Sequence, residues 1–546
     1  MKTTPEFLPR ATAQELGWAQ VWAQCRPVSV AGQAFRRDVL GRPYRPGDEA
    51  AWREAVEDLR AVRAAAEADG TLAERLCQAL AEVPDIEAML RLLQQGAALR
   101  QVDFFELKKM LWHGREIERA LGAGGLSFSW WRTLDWERLL RLLNPEEELV
   151  PAFALSEAAD GELARLRGEL SRIEGRIAAR KKEQHDSLRT RYGRAPGRDG
   201  LYVWERGEAA REVAAEDAEL ELVLKNRYET VFRVVDQADV TAMRARRKDL
   251  LTEIEEREVA VLAEMAVCLV QEVPDLHEAR TALARLDWTL AKVELARAWG
   301  GSLPEWVTDQ PWRVAGSWHP AAREAVEARG GVYTTLDLEL QPGVGLITGP
   351  NMGGKTVALK TFGLLQALAQ YAMPVPATVF HFQPVERIGM SAGDGQSLEG
   401  GLSSFGAEMS RLVALLTERG RALLLLDEVA RTTNPQEGEA LAVALASWLC
   451  ETEHTAWIAS HFPQVTRVPG VQQYRVAGLR GEMLERWEGE GGGAGDVLAR
   501  LQAAFDYRVI PSDRQEVQRQ AVRLARCLGL PEDLVERAER VLRERE

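Results

Sequence analysis

Eight consecutive residues, Gly349-Pro350-Asn351-Met352-Gly353-Gly354-Lys355-Thr356, fit the spacing G-x-x-x-x-G-K-[ST]. Each residue type there has a part in holding phosphate. Glycines, lacking a Cβ, let backbone N–H groups close around phosphate oxygens. A helix opening at Lys355 adds the partial positive charge of its N-terminus. Lys355 reaches the β- and γ-phosphates of a nucleoside triphosphate, and Thr356 ligates Mg2+. The candidate nucleotide-binding residues are therefore Gly349, Asn351, Gly353, Gly354, Lys355 and Thr356. The other reading of such a stretch, a glycine turn with no ligand, does not account for an apolar run before it and a helical pattern after it.

Such a site needs an acid at the end of a second strand. "RALLLLDE" supplies it: four leucines suit a strand buried on both faces. Asp427 is placed to hold Mg2+, usually through water, and Glu428 to polarise the attacking water. An Asp-Glu pair after an apolar run also suits a helix start, where acids are favoured. His461 follows the strand-like "TAWIAS" and could sense a γ-phosphate; a lone histidine also has a purely structural reading.

The elements that must position these residues read as an α/β domain from about residue 305. Short apolar strands alternate with helices: "GVGLITG" then a helix from Lys355, "RALLLLDE" then a helix from about Glu437, then "TAWIAS". That rhythm predicts a parallel sheet. "EGEGGGAGD" reads as a flexible turn within it. Up to about residue 130 the chain reads as helices, with apolar residues at three- and four-residue steps and a break at "EADGTL". From about 160 to 265 two long, charged helices flank "GLYVWERG" and "LELVLKNRYETVFRVVD", which are rich in β-branched and aromatic residues and predict short strands. That is either a lever-like arm with a small strand-bearing tip or an ordinary antiparallel helical hairpin. The last thirty or so residues predict two helices around Gly529-Leu530-Pro531.

The chain has 546 residues and a formal net charge of -14, which argues against a surface coated in nucleic acid but leaves room for local basic patches. One such stretch runs from Arg172 to Arg198, with nine Lys/Arg against three acids. It could track phosphates or be a solvated helix face. The five cysteines are far apart with no C-x-x-C, so neither a disulfide framework nor a zinc site is expected, and a reduced cytoplasmic compartment is the simple reading. The N-terminus has no apolar signal-like region, and no run approaches the ~20 apolar residues of a membrane span.

Taken together, the motifs resemble the MutS family, whose ATPase belongs to the ABC superfamily. "TGPNMGGKT" at Thr348–Thr356, "WHP" at Trp318–Pro320, "RIGMSAGDGQSLEGGLSSFGAEM" at Arg387–Met409, "LLLLDEVARTTNPQEGEALA" and "ASHF" carry the likeness, which is strong over about 305–475. "LGW" and "ADGELARLR" extend it more weakly to the family's core and lever domains. The resemblance implies an α/β ATPase domain of the ABC/P-loop type over 301–510. A mainly helical core and lever domain with a clamp-like, strand-bearing arm would precede it over 1–300, and a helical dimerisation tail would follow over 511–546. It implies ATP and Mg2+ as cofactors, a homodimer, His461 as the switch histidine, and Ser403 and Ser404 approaching the partner's γ-phosphate. From the residues alone, Ser404 is equally a helix N-cap. One departure stands out: Thr432 occupies a position that is commonly Gly in the family. If that position needs φ > 0, Thr is strained there and the loop must differ. The likeness leaves no space for the family's mismatch-reading domain or for the small nuclease domain of some short paralogs.

Three functions fit. The first is an ATP-gated clamp on mismatched, branched or recombining DNA, using the Arg172–Arg198 stretch. The second is a protein-remodelling motor: "GLSSFGAEM" and "ARTTNPQEG" are similar to the MutS-like ATPase subunit of reactivases for adenosylcobalamin-dependent lysine 5,6-aminomutase, which would work with a partner subunit. The third is an ATP-switched scaffold with little hydrolysis, against which the intact Asp427-Glu428 pair argues.

Overall fold

The computed structural model describes residues 6–544 apart from 133, 144–152, 154, 156–159, 198, 206–207, 209, 351–353, 393–403, 480–504, 513–521, 523–524 and 527–529. The described chain forms two compact units: residues 1–80, 120–130 and 282–546 in one, and residues 81–119 and 131–281 in the other. Among the described residues no helix is long and apolar enough to cross a membrane.

The N-terminal region is helical, as its periodicity predicts, with helices including Val30–Leu40, Glu49–Ala68, Leu72–Ala81 and Gln101–Ala123. "EADGTL" does break the chain: the Asp69 carboxylate accepts the Thr71 N–H at 3.0 Å and its hydroxyl at 2.8 Å, and helix resumes at Leu72. Such a local side-chain bond offers the backbone an alternative to continuing the helix.

In the second unit the helices Gly161–Tyr192 and Ala238–Val270 run antiparallel. Their ion pairs descend one helix as they climb the other: Asp160 with Arg257 at 2.6 Å, Glu169 with Arg246 at 3.0 Å, Arg180 with Asp239 at 2.9 Å. Asp160 also caps the first helix by accepting the Leu163 N–H. Between the helices lie β1 (Leu201–Glu205), β2 (Leu220–Lys225) and β3 (Glu229–Val234), an antiparallel sheet in the order β1-β3-β2. A small core of Leu188, Tyr202, Trp204, Ala214, Leu220 and Phe232 holds this strand-bearing segment on the helices.

The first unit carries the α/β structure. A four-stranded sheet, missed by the periodicity, contains β4 (Glu305–Trp306), β5 (Trp312–Ser317), β6 (Leu336–Leu340) and β8 (Val379–Phe382), in the order β4-β8-β5-β6. The larger sheet contains β7 (Val344–Thr348), β9 (Arg387–Ser391), β10 (Ala422–Asp427), β11 (Thr455–Ala459), β12 (Val471–Leu479) and β13 (Phe505–Pro511). Its order is β13-β12-β7-β11-β10-β9, parallel except for the antiparallel edge strand β13. Every residue of β7, β9, β10 and β11 is buried, which explains the unbroken leucines of β10; each contributes about 1.5–3 kcal/mol by burial.

The helix Lys355–Gln370 lies against this sheet, close enough that a Cβ on Gly363 would stand 2.4 Å from Leu425 Cδ1. Beyond its apolar contacts the helix is held by amides. Gln370 donates to the carbonyls of Tyr44 (2.7 Å) and Val385 (2.8 Å), and accepts from Gln366 and the Val385 N–H. Gln366 also accepts from the indole N–H of Trp312. N-terminal segments join the same core: the Ile388 N–H donates to Phe7 O, the Met390 N–H to Thr12 Oγ1, and the Trp52 indole to Ala369 O.

Gln370→Leu keeps the volume but strands several buried polar groups, each costing about 1–3 kcal/mol. The variant is expected to lose roughly 3 kcal/mol or more of unfolding free energy, read from denaturant midpoints. A midpoint equal to wild type would show that the amide network is dispensable.

Candidate functional site

Strands β7, β11 and β10 are neighbours and parallel, so their C-terminal ends open on one edge of the sheet. That edge collects the glycine-rich turn after β7, Asp427 and Glu428 at the end of β10, and Ser460 and His461 after β11. Three stretches that are far apart in sequence thus meet because strand order, not sequence order, makes them adjacent.

Within the turn, Gly349 has φ 141° and Gly354 φ 81°, left-handed values that favour glycine. A Cβ on Gly349 would also meet Val476 at 3.1 Å, and one on Gly354 would meet the ring of Tyr507 at 3.4 Å. Asn351, Met352 and Gly353 lie outside the described residues. The helix then starts at Lys355, as expected. Lys355 is buried, and its ammonium donates to the carbonyls of Gly349 (2.8 Å) and Pro350 (3.2 Å) while standing 3.6 Å from Glu428 Oε1. Burial pushes its pKa down, opposed by the charges of Glu428 and Asp427.

Thr356 Oγ1 donates to Asp427 Oδ2 at 2.5 Å. The two residues expected to share Mg2+ are therefore in contact. Asp427 Oδ1 is buried with no hydrogen-bond partner, and burial is the main cause of the raised pKa of this carboxyl. An orphaned buried carboxylate oxygen beside a threonine hydroxyl is the donor set that a hydrated Mg2+ would complete. The residues present fit Mg2+ and a triphosphate: Lys355 and the described turn glycines for phosphate, Thr356 and Asp427 for the ion. When bound, the ion would neutralise charge on the phosphates.

Glu428 sits past the strand end with φ 49°, its N–H donating to Ala459 O at 2.9 Å. Its carboxylate lies between two cations, Lys355 and Arg431, with Arg431 Nη1 at 2.7 Å. Sequence reasoning did not single out Arg431. His461 packs against Phe462 at 4.3 Å between ring centroids, and its Nδ1 is buried without a partner. Burial lowers its pKa, and Glu428 and Lys355 are among the charges acting on it. A neutral ring with an unsatisfied nitrogen suits a polar ligand at this edge.

The helix carrying the signature-like segment begins at Ser404, while Ser403 and residues 393–402 lie outside the described residues. Thr432 is not among the residues with positive φ; the left-handed positions in its loop are Glu428 and Ala430, at φ 49° and 63°. The loop accommodates Thr432 by giving its hydroxyl a partner, the buried Glu408. In sequence Glu408 looks like any helical acid, and only its spatial neighbours distinguish it. Tyr507 was also not singled out; the alternation in "FDYRVIP" is the one local sign of its strand.

Lys355→Ala is expected to weaken ATP binding by about two orders of magnitude or more, because losing one member of a desolvated charge contact costs roughly 2–5 kcal/mol. Titration with a fluorescent ATP analogue measures this. An unchanged Kd would remove Lys355 from the phosphate site.

Residues 345–546 match the family model described as MutS domain V. The chain is 29% identical over 325 residues to the DNA mismatch repair protein MutS of Paracoccus denitrificans, covering 58% of this chain and 34% of that protein. It is 27% identical over 311 residues to Endonuclease MutS2 of Lactobacillus acidophilus, covering 56% and 37%. It is 29% identical over 429 residues to Endonuclease MutS2 of Thermomicrobium roseum, covering 74% and 49%. The chain therefore spans between about a third and a half of the length of these curated relatives. The match to MutS domain V covers residues 345–546, and the strand edge that gathers Lys355, Asp427, Glu428 and His461 lies within it.

Proposed function

We propose that the chain is an ATP-hydrolysing conformational machine that works as a homodimer. The observation that carries this reading is the bond from Thr356 to Asp427 with the second Asp427 oxygen buried and unpartnered, beside a buried Lys355. In this reading Lys355 and the glycine turn hold the phosphates, Thr356 and Asp427 hold Mg2+, and Glu428 polarises the attacking water. Phosphoryl transfer requires little more of a protein than such positioning and charge stabilisation. His461 senses the γ-phosphate, and Ser403 and Ser404 complete the partner's site. A cytoplasmic setting suits the chemistry.

The favoured client is mismatched, branched or recombining DNA, since the relatives include proteins named for DNA mismatch repair and endonuclease action. The phosphate contacts would come from the Arg172–Arg198 stretch. Of its nine cations, Arg180, Lys181, Arg191 and Arg194 are in ion pairs with acids of the same unit. Arg172, Arg176, Lys182 and Arg189 have no ion-pair partner among the described residues, and Arg198 lies outside them.

That internal neutralisation favours a second reading, a protein client such as an inactivated adenosylcobalamin-dependent aminomutase handled with a partner reactivase subunit. The same unit exposes apolar side chains on β2 and its turn: Leu222, Val223, Leu224 and Tyr228. Such a surface suits protein better than phosphate.

Two measurements test these readings. Glu428→Gln should bind ATP as wild type does yet hydrolyse it at least about a hundredfold more slowly, in the range typical of a lost general base. Hydrolysis at the wild-type rate would reject the role given to Glu428. For the client, about four unpaired cations imply a log–log salt slope of roughly -3 to -4 for duplex DNA. Reversing Arg172, Arg176, Lys182 and Arg189 to Glu should abolish that binding and leave basal ATPase unchanged. Salt-insensitive or absent DNA binding, with no stimulation of ATPase by branched DNA, would overturn the DNA client in favour of the protein one.

A further inference from the structure

The loop that follows the catalytic strand is held in an unfavourable conformation. Glu428 and Ala430 both have left-handed φ, 49° and 63°, though neither is glycine. L side chains resist this region, so something must hold them there. Glu428 is held by its N–H bond to Ala459 O. Ala430 is held by Glu408, which sits on the neighbouring helix Ser404–Thr417 and is 5% exposed. Glu408 Oε1 accepts the Ala430 N–H at 2.6 Å, and Glu408 Oε2 accepts the Thr432 hydroxyl at 2.8 Å. The remaining side of the loop is closed by Gly438, where a Cβ would stand 2.6 Å from Ala430 O.

We propose that Glu408 and Thr432 form a positioning strut for ATP hydrolysis, fixing the 428–432 loop so that the Glu428 carboxylate keeps its place beside Lys355. The inference rests on the reading of Glu428 as the group that polarises water. Glu408 acts through the loop and touches no nucleotide. Both its oxygens are acceptors meeting donors on two loop residues two positions apart, which fixes the loop's rotation as well as its distance. A carboxylate buried against a charged group would serve stability alone. Here both partners belong to the segment that carries Glu428 and Arg431. Thr432, the residue that departs from the family's usual glycine, supplies one of the two bonds. The strut also ties the signature-like helix to the catalytic loop, so a shift of that helix must pull on Ala430.

The chemistry of the strut defines its test. Gln at 408 can accept the Ala430 N–H with its carbonyl and donate to Thr432 Oγ1 with its amide, whereas Ala can do neither. Valine at 432 keeps the β-branched shape and deletes the hydroxyl. Steady-state ATPase on the full chain should show kcat for Glu408→Ala reduced about ten- to a hundredfold, the scale of a catalytic group displaced by an ångström. KM for ATP should stay within about twofold. Glu408→Gln should restore most of kcat. Thr432→Val should lower kcat in the wild-type background and add nothing on top of Glu408→Ala, the non-additivity of a shared interaction. If Glu408→Ala does not fold, Glu408→Gln and Thr432→Val still decide: Thr432→Val at wild-type kcat overturns the strut. So does loss of activity in Glu408→Ala through KM alone, or fully additive effects of the two substitutions. Glu428→Gln run in parallel separates the two levels. If it hydrolyses normally, the reading of Glu428 fails; if it is impaired while the strut variants are not, only the strut fails.

Discussion

A buried ammonium is costly unless negative groups are built around it, and the arrangement around Lys355 follows from that cost. Its own turn supplies two carbonyls, and the end of β10 supplies Glu428 at 3.6 Å and, one residue earlier, Asp427. The carboxylates are in turn managed by cations and donors: Arg431 on Glu428, Thr356 on Asp427. Among the described residues at this edge, one oxygen of Asp427 and one nitrogen of His461 are buried without a hydrogen-bond partner. Leaving these two atoms buried and unpartnered costs stability, and proteins keep such atoms where a ligand completes them. These groups form a donor and acceptor set that suits phosphate and a cation.

That arrangement depends on a helix anchored at several points along its length. Lys355 and Thr356 are the first two residues of a helix whose far end is locked by the Gln366 and Gln370 amides and whose middle lies against β10 at Gly363. Phe362 stacks on Trp457 of β11 at 5.2 Å, so the helix is registered on the strand that leads to His461. N-terminal residues close the other side: Tyr371 lies between Phe7, Trp18 and Trp22, and its hydroxyl donates to Leu40 O. The described ends of the glycine-rich turn, Gly349–Pro350 and Gly354, are thus mounted on a thoroughly buried support.

Much of the site was legible in the sequence because its residue types are bound to backbone geometry. Gly349 and Gly354 are glycines because of their φ, and the leucines of β10 are unbroken because that strand is buried on both faces. The two long helices and the short strands between them were legible in charge periodicity and β-branching, and β1, β2 and β3 formed where those residues cluster. What could not be read were features made by long-range contact. Periodicity missed the four-stranded sheet because its strands are short and separated in sequence by two helices and by β7. Glu408, Arg431 and the Gln366–Gln370 amides are ordinary polar residues whose roles exist only once the chain is folded. Strain at Thr432 was conditional on a positive φ there, and that condition is not met: the left-handed positions of the loop are 428 and 430. Strain in a turn belongs to the whole turn, and a single unusual residue does not locate it.

The Arg172–Arg198 stretch illustrates why charge counted along a sequence overstates charge in space. Nine cations against three acids between Arg172 and Arg198 suggest a strongly basic surface. Folding brings Asp217, Asp236, Asp239 and Glu219 from other segments to the same helix. Arg191 meets two of them, and Arg194 lies over the ring of Trp204. Exposed pairs of this kind add little stability, typically about 0–1 kcal/mol, but they do cancel field, because a neutral pair a few ångströms across is invisible beyond a Debye length of about 8–10 Å. Among the described residues, the long-range attraction left to this stretch is therefore chiefly that of Arg172, Arg176, Lys182 and Arg189. Against a net charge of -14 for the whole chain, the four unpaired cations among the described residues can attract a polyanion only at close range.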